Sequence, residues 1–152
     1  MMDAEDLTVS DRASPAETDA ICRAVLTTIW SDLDGFIIDL TDLGDTPDTA
    51  AAVAALAPYR GRTLFRRRPT QEADIELGKH GDADATVLEA VLALATRTQA
   101  SHGFSVDLGG IAYGVDDAGT SCYFLLTAAQ RTEVDGRLRD LGMSPDLLVP
   151  EP

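Results

Sequence analysis

The 152-residue sequence contains no asparagine, a single lysine (Lys79), one tryptophan and only two cysteines. Each scarcity excludes something. Without asparagine there is no N-glycosylation sequon. Twelve basic residues face 26 acids, for a net charge of -14. The chain therefore lacks the basic footprint that phosphate contacts demand, which disfavours direct binding to nucleic acid or an anionic membrane. No stretch approaches the roughly 18–20 consecutive apolar residues that cross a bilayer. The N-terminus is acidic where a secretory signal is basic and then apolar, so a soluble, cytoplasmic protein is expected. Cys22 and Cys122 have neither CxxC nor Cys/His spacing and fall in apolar segments, which reads as two buried free thiols.

What is present is an ordinary globular balance, 45% hydrophobic and 25% charged, enough at this length for one buried core. The acidity is mostly aspartate, 19 of 26. GC-rich coding bias or salt adaptation accounts for such a skew. The functional reading is an acidic face that steers the chain onto a basic protein partner.

Along the chain, residues 1–13 are polar and aperiodic and read as a flexible acidic tail, leaving residues 14–152 as a single domain. Ser14, Pro15 and Glu17 form a capping box with proline at the first helical position. Ile21, Val25, Ile29 and Leu33 then recur every four residues, which predicts a helix running to about Asp34 and stopping at Gly35. Residues 36–40 alternate as a half-buried strand. Thr46 and Pro47 open an alanine-rich helix that ends at Pro58. Residues 63–67 read as extended, and residues 69–83 have no assigned structure. A helix is predicted from Asp84 to Gly103, then three strands carrying Phe104, Val106 and Leu108, Ile111, Tyr113 and Val115, and residues 122–126. A hairpin turn falls at residues 116–119. Thr127 and Gln130 start a last helix that ends at Gly142, and Leu147, Leu148 and Val149 are expected to fold back. The order predicts an α+β fold with about four helices on an antiparallel or mixed sheet. Its expected core is Ile21, Val25, Ile29, Ile38, Val87, Leu88, Val91, Leu92, Val106, Ile111, Cys122, Phe124, Leu126, Val134 and Leu138.

The most chemical-looking string is Asp32-Leu33-Asp34-Gly35. A DxDG after an apolar strand is how haloacid-dehalogenase-like phosphatases present a nucleophile and an acid/base, and Lys79, Asp116 and Asp117 follow in the order such enzymes use. Against this, Phe36 follows the glycine and the capping box at Ser14 favours a helix through the segment. A polar helix end is the simpler reading. An EF-hand fails, because aligning Gly35 with the loop glycine places Trp30 and Thr41 at ligand positions. Asp74, Glu76, His80 and Asp82 crowd one polar stretch but lack a second nearby histidine, so no metal site is expected. No GxSxG, GxGxxG or P-loop is present, and no cofactor is expected.

Charge is unevenly spread: residues 1–58 sum to -10, residues 59–81 to +3 and residues 82–152 to -7. Arg60, Arg62, Arg66, Arg67 and Arg68 form the one basic patch, read as an edge strand protected by charge, an anion site or a self-association surface. Together these features favour a non-catalytic acidic binding protein, an inhibitor of the immunity or antitoxin kind. Its partner-binding acids would be Asp32, Asp34, Asp39, Asp42, Asp45 and Asp48, taken as one exposed loop. The alternatives are the phosphatase, with Asp32 and Asp34 as its catalytic pair, and a self-associating structural protein.

Overall fold

The computed structural model describes residues 3–41, 43, 46–59, 74–78 and 85–152. It is an α+β domain in which one layer of four helices covers one face of a seven-stranded sheet. In chain order the elements are β1 (Ala4–Val9), α1 (Pro15–Ile29), β2 (Gly35–Asp39), α2 (Pro47–Leu56), β3 (Asp74–Gly78), α3 (Ala85–Ala93), β4 (Ala100–Ser105), β5 (Gly110–Asp116), β6 (Ser121–Thr127), α4 (Ala128–Asp140) and β7 (Leu148–Pro150). The strand order is β3-β2-β4-β5-β6-β1-β7, with every neighbouring pair antiparallel. No described helix is long and apolar enough to cross a membrane.

Local chemistry fixes the helix starts. Ser14 Oγ accepts from Glu17 N–H while the Glu17 carboxylate accepts from Ser14 N–H, and Thr127 and Gln130 repeat the exchange at α4. Each box satisfies two backbone donors that a helix start otherwise leaves unpaired. From α1, Ile21, Cys22, Val25, Leu26 and Ile29 are all buried, each large aliphatic side chain contributing about 1.5–3 kcal/mol by leaving water. They pack on the inward strand positions Leu7, Phe36, Ile38, Tyr113, Val115, Phe124 and Leu126 in a single core. A run of rings, Trp30, Phe36, Tyr113 and Phe124, crosses it with centroids 5.5–5.9 Å apart.

Several expectations are corrected. The supposed tail contributes β1, which lies between β6 and β7. Leu7 is its one buried anchor, and its acids are occupied: Asp6 accepts from the Tyr123 hydroxyl and Glu5 faces Arg131. The first helix does not reach Gly35. It ends at Ile29, a single 3-10 turn covers Trp30–Asp32, and Gly35 is the first residue of β2. The stretch without assigned structure contains β3, whose Ile75 and Leu77 are buried. Gly103 ends no helix: α3 stops at Ala93 and Gly103 sits within β4.

Val106 and Ile111 were expected in the core and are exposed, at 79% and 39%. The register explains both. Gly103 pairs with Tyr113 but Phe104 pairs with Ile111, so Ala112 is an extra residue in β5. That bulge flips the alternation, turning Tyr113 inward and leaving Ile111 outward. Val106 lies beyond the end of β4 in the turn closed by Gly109 N–H donating to Val106 C=O. Residues 63–67, the Arg60–Arg68 patch, Lys79, His80 and Asp82 lie outside the described residues, as do Asp42 and Asp45.

Candidate binding face

The face of the sheet away from the helices is set by alternation. Because Phe36, Ile38, Tyr113, Val115 and Phe124 point into the core, their strand neighbours point out. Register places Glu76, Ile37, His102, Gly114 and Tyr123 in one cross-strand row and Asp39, Ala100, Asp116 and Ser121 in the next, with Asp74 opposite Asp39. Phe104 and Ile111 form a paired apolar patch on the other side of the first row.

Polar contacts organise this face. His102 Nε2 and Asp116 Oδ1 are 2.8 Å apart. Gly114 stands opposite His102, and a Cβ there would make only an ordinary contact with the ring, 3.7 Å from His102 Cδ2. The Tyr123 hydroxyl donates to Asp6 Oδ1 at 2.7 Å. That bond to a carboxylate, more than desolvation, pushes the phenol up to about 12. Asp39 Oδ1 accepts from Thr41 N–H. Glu76 is fully buried.

The strands are charged with one sign. They contain Glu5, Asp6, Asp39, Asp74, Glu76 and Asp116 and no lysine or arginine. The described arginines, Arg12, Arg23, Arg97, Arg131, Arg137 and Arg139, all sit on helices or the turns beside them. Sequence reading missed this segregation because it depends on which segments pair. Within the sequence, the visible signal was the absence of any base from each strand segment.

The acids read from the sequence as one loop are not on one loop. Asp32 Oδ2 accepts from Gln130 Nε2, and Asp34 Oδ2 accepts from Val106 N–H at 2.7 Å while Asp34 N–H donates to Phe104 C=O. These two carboxylates tie the start of β2 to α4 and to the β4–β5 turn. Asp39 lies at the opposite end of β2, and Asp48 is exposed in the first turn of α2. The structure also keeps the DxDG pair away from Asp116 and Asp117. Asp34 bonds to the Phe104 end of β4 and Asp116 pairs with its Ala100 end, about 13 Å along a strand. Asp117 lies in the β5–β6 hairpin turn. An α-helix and a 3-10 turn precede the DxDG where the phosphatase arrangement needs a strand. Among the described residues, no group of three or more His, Cys, Asp or Glu is placed to hold a metal ion.

Compared with family models, curated proteins and solved structures, the chain matches none.

Proposed function

We propose that the protein is a non-catalytic binding protein that holds a basic protein partner against the sheet face that no described helix covers, in the manner of an immunity or antitoxin-type inhibitor. The observation that carries this reading is the charge segregation: the described strands hold no lysine or arginine, and Asp6, Asp39 and Asp116 alternate away from the core, while Glu5 turns to Arg131 of α4 and Glu76 is buried. Asp39 and Asp116 border one side of a patch formed by partly exposed Ile37, Phe104 and Leu125 and the exposed Ile111, and Asp6 stands opposite Leu125 at its edge. An apolar centre with charged margins suits protein recognition, the carboxylates steering a cationic surface and fixing its register. Asp32 and Asp34 precede β2 and tie its start to α4 and to the β4–β5 turn, so the partner-facing set becomes Asp6, Asp39 and Asp116, which stand on the outward strand positions with their own hydrogen bonds to Tyr123, Thr41 and His102.

The test is retention of proteins from the native host on immobilised wild type and on the Asp6→Lys/Asp39→Lys/Asp116→Lys variant. The expected result is a basic protein held by wild type, released by salt and bound at least about a hundredfold more weakly by the variant. A retained set that is unchanged by the reversal contradicts the reading.

A further inference from the structure

Cys22 and Cys122 are free thiols, a hundred residues apart in sequence, and they meet between α1 and β6 with their Sγ atoms 3.8 Å apart. A disulfide needs about 2.05 Å, so the two side chains must close by less than about 2 Å. Their exposure differs. Cys22 is completely buried, whereas Cys122 is 8% exposed and forms part of the wall of a surface cleft of 390 Å³. That cleft has hydroxyls from Thr8, Thr18 and Ser121, carboxylates from Asp11 and Glu151, and no lysine or arginine. Behind the thiols, the fully buried Tyr113 hydroxyl meets no hydrogen-bond partner of good geometry among the described residues.

We propose that Cys22 and Cys122 form a dithiol site, oxidised to an intramolecular disulfide by a small cationic disulfide that enters the cleft and reacts first at Cys122. The two acids of the cleft wall attract ammonium groups and repel an anionic disulfide. Cys122 borders the cleft whereas Cys22 is completely buried, so Cys122 is the attacking thiolate; burial raises the Cys22 thiol. It bonds to one sulfur of RSSR, and the S–S bond breaks to release RS⁻, which takes up the proton Cys122 has lost. Cys22 then gives up its proton and bonds to Cys122 Sγ, expelling a second RS⁻ that carries that proton away as RSH. The protein dithiol is oxidised, one RSSR is reduced, and two RSH leave.

The reduced full-length protein is exposed to cystamine or to glutathione disulfide, remaining thiols are alkylated, and the products are weighed. Wild type with cystamine is expected to lose two hydrogens, carry no alkyl group and revert with dithiothreitol. Cys22→Ser should stop as a mixed disulfide at Cys122, and Cys122→Ser should remain fully alkylatable at Cys22. Cys22→Ala and Cys122→Ala repeat the comparison should serine disturb folding, which circular dichroism reports. The preference for cystamine over glutathione disulfide, taken relative to the urea-unfolded chain, is expected to be about tenfold or more and to collapse in Asp11→Asn/Glu151→Gln. Full alkylation of both wild-type thiols after cystamine, or a wild-type product that stays a mixed disulfide, overturns the site. Equal relative rates for the two disulfides overturn the cationic substrate.

Discussion

At the scale of single residues, two glycines on neighbouring strands do different jobs. A Cβ at Gly103 would meet Leu33 Cδ1 at 2.7 Å and Phe36 Cδ2 at 3.2 Å, both on buried side chains. A Cβ at Gly114 would find only ordinary contacts. Gly103→Ala should therefore cost about 1–3 kcal/mol through overpacking, whereas Gly114→Ala should stay within about 0.5 kcal/mol of wild type; urea unfolding of the two variants checks the contrast. Tyr123 gives a pH test. Its phenol is raised in the folded chain by the Asp6 carboxylate, so between the unfolded value near 10 and about 12 the unfolded chain loses a proton that the folded chain keeps. The stability from this bond is complete below that window and is lost as pH rises through it. In Asp6→Asn, the Tyr123 titration followed by NMR of its ring should move back toward 10.

At the scale of elements, helices with strong end signals were legible and strands with weak alternation were not. The boxes at Ser14 and Thr127 mark α1 and α4 because side-chain donors and acceptors at fixed spacing satisfy helix ends in any context. Removing one should be costly: Thr127→Ala is expected to lower stability by about 1 kcal/mol, measured by denaturant unfolding. By contrast, β1 has one buried residue in six and β3 is five residues long, so neither shows a periodicity distinct from a polar loop. In the sequence Gly103 reads as a helix stop because a glycine after apolar repeats usually is one. Here it lets Leu33 and Phe36 pack against the sheet. The bulge at Ala112 has no local signal either, since a one-residue slip is visible only once β4 is laid against β5. For the candidate face, the acidity and its basic counterpart were readable. The pairing that puts Asp39 and Asp116 in one row across β4, and engages Asp32 and Asp34 internally, was not.

At the scale of the whole molecule, a net charge of -14 costs stability through self-repulsion, and part of that cost is concentrated on one sheet. Asp39 and Asp116 lie in one cross-strand row with only Ala100 between them, where like charges repel. Asp39→Asn should raise stability by a few tenths of a kcal/mol at low ionic strength, and the gain should vanish in about 1 M salt as the repulsion is screened. For wild type, moderate salt should raise Tm for the same reason, measured by calorimetry. Keeping such repulsion on a face that no described helix covers makes sense if a cationic surface neutralises it. The most direct measurement of that claim is backbone amide NMR of the labelled protein as the basic partner retained from its host is added. Perturbations are predicted at Ile37, Asp39, Ala100, His102, Asp116, Ser121 and Tyr123, fading as salt is raised. Perturbations confined to the solvent-facing sides of α1, α2, α3 and α4, with these strand amides unmoved, would contradict it.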